Sequence, residues 1–237
     1  AEEMDRRYLG YDINLEQIQA NKKQSKKPLW ICEDSNTALN KVADESHDFI
    51  FTCPPYYDLE VYTDNPNDIS NMDVNQFDTI YNEILQKSVK KLKNNRFFAI
   101  VVSEVREPSK TGNYSIGKYR RLVSKTIDML EGSGLSFYND MVLFNSQHQA
   151  SRIGKTYFDR NRKIPSVHQN ILVFVKGNPD IATIEMEGGE PICMVGGKEY
   201  LSFRHAAIDI DADKLVASEV ERRCKSTKSS YKDWQII

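Results

Sequence analysis

The chain has 237 residues, 40% of them hydrophobic and 28% charged, which supports a substantial core and argues against global disorder. Lys and Arg number 32 against 34 Asp and Glu, a formal net charge of -2, so any polyanion must be met by a local patch and not by overall charge. The longest uninterrupted apolar run, Phe97 to Val102, is six residues, far short of the roughly 20 that cross a bilayer.

Four cysteines, Cys32, Cys53, Cys193 and Cys224, are too few and too scattered for a disulfide scaffold and form no Cys-x-x-Cys pair. A reducing compartment is expected. The first residues, Ala-Glu-Glu-Met-Asp-Arg-Arg, lack the apolar centre of a signal peptide, and a cytoplasmic location is expected. His47, His148, His168 and His205 are too dispersed for a recognisable ligand spacing, and no metal is expected.

Taken in chain order, the elements alternate between strand and helix. Arg7 to Asp12 is a short strand ending in an acid, and Leu15 to Lys23 is a helix with Asn14 as its cap. Leu29 to Cys32 is a second strand, followed by a polar turn over 33–36 and a brief helix from Thr37 to Ala43. Asp48 to Thr52 is nearly all apolar, as suits a strand covered on both faces. Val74, Phe77, Ile80, Tyr81, Ile84, Leu85, Val89 and Leu92 follow a 3.6 period, and Asp73 with Gln76 has capping-box spacing. Arg96 to Val102 is a buried strand. Tyr119 to Leu130 is an amphipathic helix closed by Gly132 and Gly134. Phe137–Phe144 and Gln169–Lys176 are further strands.

Beyond Gly177 the pattern weakens. Gly188-Gly189 and Gly196-Gly197 mark tight turns of a small hairpin, Asp213 to Arg223 is a helix, and Cys224 to Ile237 is a loosely held tail that Trp234 could anchor. The alternation predicts a three-layer α/β domain over residues 1–177, with an appendage of uncertain role over 178–237. Loops at the carboxyl ends of the strands should form the site.

The most informative stretch is Phe51-Thr-Cys-Pro-Pro-Tyr-Tyr-Asp58. Two consecutive prolines cannot continue a central strand, because neither has the amide hydrogen that the ladder requires. They fix φ and present carbonyls from a rigid loop. Such a loop, followed by tyrosines, suits a grip on a planar polar group: a proline carbonyl accepts an amino hydrogen and a ring stacks on the plane. An ordinary strand-ending turn with a core tyrosine fits the local pattern equally well.

Cys53-Pro54-Pro55-Tyr56 resembles the Asp/Asn/Ser-Pro-Pro-aromatic signature of the S-adenosylmethionine (AdoMet)-dependent amino methyltransferases that modify adenine or cytosine in DNA. The flanking segments strengthen the resemblance. Arg7-Tyr-Leu-Gly-Tyr-Asp12 is similar to the family's second strand, Asp34-Ser35 follows the next strand at its acidic position, and His168 to Gly177 is similar to its late strand. The likeness covers about residues 6–177 and is nearest to phage- and prophage-type modification methylases.

This resemblance implies a Rossmann-like class I methyltransferase fold with AdoMet as cofactor and DNA as partner. It implies that Cys53, Pro54, Pro55 and Tyr56 hold and stack the target base, Asp12 accepts from the ribose hydroxyls, and Asp34 and Ser35 meet the adenine. The target amine would take the AdoMet methyl directly, so positioning is the main catalytic task and no metal is required. Cys53 precedes the prolines, and covalent catalysis is not implied.

Two departures matter. The family's glycine-rich loop after the first strand should lie just before Arg7 and is absent; Gly10 is the lone glycine among the first 111 residues. The first strand, central in the family's sheet, is missing with it, so a second polypeptide or a second copy is expected to complete the sheet. The other departure is Cys53, a weaker acceptor than the usual Asp, Asn or Ser.

For nucleic-acid contact the candidates are Tyr57 and Arg106 near strand exits and the basic cluster Arg152, Lys155, Arg160, Arg162 and Lys163. A solvated basic face explains the cluster equally well. Two other functions stay open: a noncatalytic nucleic-acid-binding or assembly subunit, and a methyltransferase acting on RNA or a protein amide.

Overall fold

A computed structural model describes residues 2–4, 6–107, 117–144, 158–159, 162–163, 166–182, 193–200, 203–211, 215–227 and 229–236. The chain divides into two compact units, one comprising residues 1–93 and 97–174, the other 94–96 and 175–237.

In the first unit, β1 (Leu9–Asp12) runs parallel to β2 (Leu29–Cys32), with Leu9 opposite Leu29 and Asp12 opposite Cys32. Helix α1 (Leu15–Gln24) joins them, and the Asn14 side chain accepts from the amides of Glu16 and Gln17 to cap it. Gly10 has a packing reason: a Cβ there would lie 2.5 Å from the Trp30 ring, which tilts against Tyr8 across β1. After the short α2 (Ser35–Ala38) come β3 (His47–Thr52), α3 (Val74–Lys91) and β4 (Leu92–Val102). Strand β3 is parallel to β4. Helix α4 (Leu122–Gly132), β5 (Leu135–Phe144) and β6 (His168–Lys176) follow.

Strand order is β2-β1 in one sheet and β3-β4-β6-β5 in another, with no pairing between the two among the described residues. The α/β architecture expected from the alternation is present.

Phe77, Tyr81, Leu85 and Val89 form one stripe of α3, spaced four residues apart, and pack with Phe98, Ile100 and Val102 of β4, Leu172 and Phe174 of β6, and Leu122 and Leu130 of α4. Ala99 and Val101, on the opposite face of β4, are buried as well, as befits a central strand. Burial of each large side chain stabilises the fold by about 1.5–3 kcal/mol. The capping box at the start of α3 is complete: Asp73 accepts from the amides of Asn75 and Gln76, and the Gln76 side chain accepts from the Asp73 amide. Asp73→Ala should lower unfolding stability by about 1 kcal/mol in urea titration.

Several boundaries differ from the sequence expectation. Strand β4 begins at Leu92, not Arg96, because the chain enters it directly from α3. Its start is the polar run Lys93-Asn94-Asn95, with Asn95 at φ 54, and such residues carry no strand propensity to read. Helix α4 begins at Leu122, not Tyr119, because Tyr119 bridges to Arg106 and Arg121 is left-handed at φ 63. The brief helix expected from Thr37 is Ser35–Ala38 followed by a 3-10 turn.

The second unit has a three-stranded antiparallel sheet in the order β8-β7-β9, formed by β7 (Cys193–Val195), β8 (Lys198–Tyr200) and β9 (Trp234–Ile236). Gly196 and Gly197, at φ 58 and 82, make the β7–β8 turn, whose two positive φ values glycine accepts freely. Three helices are described here: α5 (Pro179–Ala182), α6 (Phe203–Asp211) and α7 (Ala217–Cys224). Helix α6 has no counterpart in the sequence expectation, and the tail is not loose. Instead Trp234 pairs opposite Val195 and packs against a core of Cys193, Tyr200, Ala206, Ala207, Leu215 and Val220. Gly188 and Gly189 lie outside the described residues. No helix among the described residues is long and apolar enough to cross a membrane.

Candidate active site

The carboxyl ends of β1, β2 and β3 converge on a cavity of about 500 Å³, lined by Asp12, Asp34, Ser35, Cys53, Pro54 and Pro55. These residues are distant in sequence, and the family resemblance implies that they act together. Parallel strands bring them together because each strand delivers its exit loop to the same side of the sheet.

Asp12 ends β1, and its Oδ1 accepts from the Asn14 amide at 2.8 Å. Burial raises its pKa above the ordinary value; the Asn14 amide opposes that shift and the Asp68 carboxylate adds to it. Asp34 is the N-cap of α2, with Oδ1 accepting from the Asn36 amide at 3.0 Å and Oδ2 from the Thr37 hydroxyl at 3.2 Å. Each carboxylate oxygen has a second lone pair for a further donor. Ser35 is the first residue of α2.

Cys53 is exposed at the exit of β3. Its Sγ lies 3.7 Å from the Tyr56 hydroxyl, which accepts a hydrogen bond from Gln169 Nε2 at 2.7 Å. Tyr56 is partly buried against the core, and its phenol is held well above its usual pKa by burial first and the Cys53 thiol second. It therefore stays a neutral donor at any physiological pH.

Tyr57 corrects an expectation. The sequence makes it a candidate for nucleic-acid contact, yet it is 1% exposed and stacks on Phe77 at 4.4 Å between ring centroids. Its φ of 57 turns the chain after the two prolines so that the ring enters the core. Its hydroxyl donates to Asp78 at 2.9 Å and accepts from Lys125 Nζ at 3.2 Å. Arg120, with a side chain 6% exposed, pairs with Asp58 and lies 5.1 Å over the Tyr57 ring. The second tyrosine of the motif thus anchors the loop that presents the first.

Sequence reasoning missed three residues here. Tyr62 and Asp68, from the loop after the motif, line the same cavity. Tyr62 donates to Glu60 at 2.8 Å, and burial together with this bond pushes its pKa up to about 12. Asp68 is buried and accepts from Ser70 and Thr63. Its Asp-x-Ser pattern reads locally as a turn. Gln169, 113 residues from Tyr56, had no local signal at all.

Of the basic candidates, Arg106 stacks on Tyr119 at 3.6 Å, and both Arg106 and Lys163 donate to the Gly117 carbonyl, at 3.0 and 3.2 Å. Arg162 lies 5.6 Å from the Phe158 ring. Arg152, Lys155 and Arg160 lie outside the described residues. Among the described residues no group of three or more His, Cys, Asp or Glu is placed to hold a metal.

The lining tests AdoMet unevenly. An acid at the end of β1 with one oxygen left for a diol, and an acid with Ser35 at the end of β2, suit a ribose and a purine. Gly10 is the one glycine among the described lining residues, and it sits within β1, so no glycine loop among them lines the cavity for an amino-acid end.

No family model and no curated protein sequence matches the chain. Among solved structures it is similar to a protein described as a DNA modification methylase from Thermus thermophilus in complex with S-adenosyl-L-methionine, at 16% identity over 61% of this chain and 51% of that one, with a TM-score of 0.45. It is similar to the cytosine-N4-specific PvuII DNA methyltransferase at 17% identity over 60% and 47%, with a TM-score of 0.44. A SAM-dependent methyltransferase from Methanosarcina mazei matches at 9% identity over 72% of this chain and 82% of that one, with a TM-score of 0.46. The chain spans about half the length of the two DNA methylases it resembles.

Proposed function

We propose that this chain carries the base-gripping and adenosine-binding parts of an AdoMet-dependent amino methyltransferase acting on adenine or cytosine in DNA, within a bacterial or phage-infected cell. The supporting observation is the meeting of Asp12, Asp34, Ser35 and the Cys53-Pro54-Pro55 loop at the carboxyl ends of three parallel strands, around one cavity. Asp12 would accept from the ribose hydroxyls, and Asp34 with Ser35 would meet the adenine. AdoMet, when bound, supplies an electrophilic methyl on a sulfonium.

The protein's own work is then to place an amine. The Pro54 carbonyl accepts one amino hydrogen and the Cys53 thiol offers a second, weaker acceptor, which aims the nitrogen lone pair. The Tyr56 ring stacks on the base, and the Gln169 amide fixes the ring through its hydroxyl. Arg106, Arg162 and Lys163 are the described candidates for phosphate contact, which positions the duplex without reading its sequence.

The test is methyl transfer from radiolabelled AdoMet to duplex DNA, RNA and protein offered in competition. Label in the amino group of a DNA base is the expected result; label in RNA or a protein amide would replace the substrate, and no label with any acceptor would overturn the reading. Tyr56→Ala should lower turnover by about 10²-fold with a much smaller loss of AdoMet affinity. Equal loss of both in a folded variant would remove the stacking role.

A second reading is a noncatalytic nucleic-acid-binding subunit. Salt-dependent DNA binding without AdoMet binding in calorimetric titration would establish it.

A further inference from the structure

The second unit has little apolar area to hold it together. Two of the six residues of its buried cluster are alanines, and a third is Cys193. Small units of this kind are commonly reinforced by a cross-link or a structural metal. Among the described residues no group of three or more His, Cys, Asp or Glu is placed to hold a metal, so a closed zinc site is not built there. Two thiols remain, and the fold turns them toward each other.

Side chains alternate along a strand, so Cys193 and Val195 share one face of β7, and both belong to the packed core. Residues four apart share one face of a helix, so Val220 and Cys224 lie together on α7, and both pack into the same core. Each thiol is near enough to the other to alter its ionisation. Burial raises both above their ordinary values, Cys193 up to about 11. A hydrogen bond that Cys193 donates to Cys224 adds to the first shift and opposes the second. Access is unequal. Cys193 is 0% exposed in the middle strand of its sheet, whereas Cys224 is partly exposed at the last residue of α7.

We propose that Cys193 and Cys224 form a reversible disulfide that staples β7 to the end of α7, with a small disulfide of the glutathione type as oxidant and Cys224 as its point of entry. Cys224 gives up its proton, and its thiolate attacks one sulfur of that molecule; a mixed disulfide forms and one small thiol leaves with the proton. Cys193 then loses its proton and attacks the Cys224 sulfur. The internal S–S bond forms, the mixed one breaks, and a second small thiol leaves with that proton. Two electrons pass from the protein to the oxidant, and an excess of small thiol reverses both steps. A buried thiol with a raised pKa is inert toward outside reagents, so Cys193 reacts only through its neighbour. The link closes the chain from β7 through β8 and α6 to α7, and it stabilises the unit by restricting its unfolded state. Its chemistry is independent of methyl transfer.

The test is incubation of the full chain in glutathione buffers of increasing oxidised fraction, followed by acid quenching and peptide mass mapping. The expected product is one Cys193–Cys224 link, lost again in reduced buffer, with no glutathione retained on either residue. Cys193→Ala should instead retain glutathione on Cys224. In Cys224→Ala, Cys193 should react at least about tenfold more slowly than Cys224 does in the first variant. Amide exchange of β7 and α7 in the native chain should slow at least about tenfold on oxidation, equivalent to about 1.4 kcal/mol. The mapping and the exchange are both read on the native chain, so neither depends on a variant folding. Glutathione retained on Cys224 of the native chain, a link from either residue to Cys32, Cys53 or another chain in its place, or no modification at all would overturn the proposal. So would equal reactivity of Cys193 with Cys224 removed, or exchange that the link leaves unchanged.

Discussion

Tyr57→Ala should destabilise the first unit by about 3–5 kcal/mol, the range for removing a large aromatic from a packed core. The ring is 1% exposed, stacks on Phe77, and carries a hydroxyl that joins Asp78 to Lys125. Tyr57→Phe keeps the stack and leaves Asp78 paired with Lys125, so it should cost only about 1 kcal/mol. Urea unfolding of the two variants separates ring from hydroxyl. The alanine variant should also loosen the Pro54-Pro55-Tyr56 loop, because the left-handed turn at Tyr57 is held by the burial of that side chain. A loss below about 1 kcal/mol for Tyr57→Ala would mean that the ring is free, and would return it to the candidates for base contact.

Asp12→Asn should trade function for stability. A carboxylate that accepts from a ribose diol contributes about 1.5–3 kcal/mol, so AdoMet affinity should fall by about 10- to 100-fold in calorimetric titration. Stability should move the other way. Burial holds the folded Asp12 carboxyl above its ordinary value of 3.8. Below that value the group is protonated in both states and the variant gains nothing. As pH rises through the higher folded value, the native protein loses stability that the neutral amide keeps. The variant should therefore melt higher than the native protein at pH 7 and equally at pH 3. Equal melting at both pH values would mean that Asp12 is not strained by burial, and unchanged AdoMet affinity would take it out of the cofactor site.

The sequence by itself determined much of the local structure. The eight apolar positions over 74–92 and the Asp73–Gln76 spacing located α3 and its cap, because a helix in contact with a core must repeat at 3.6 residues and its first amides need a partner. The short apolar runs located β3 and β4, and the paired prolines marked where β3 must stop; β4 is buried as expected, whereas Phe49 and Phe51 of β3 are exposed.

Tertiary structure decided what pattern alone left degenerate. Tyr56 and Tyr57 are adjacent and chemically identical, and their sequence assigns neither to the core. The positive φ at Tyr57 sends that ring inward, and Gln169, from a strand more than a hundred residues later, holds the other. Tyr62 and Asp68 enter the cavity wall because a loop folds back over it, a placement with no sequence period. The C-terminal tail reads as polar with Trp234 as its one possible anchor, and Trp234 to Ile236 completes a sheet with β7 through backbone pairing and one half-buried indole. Local chemistry sets helices, caps and strand ends; which side chains meet across the fold depends on topology, which brings distant segments together without leaving a local mark.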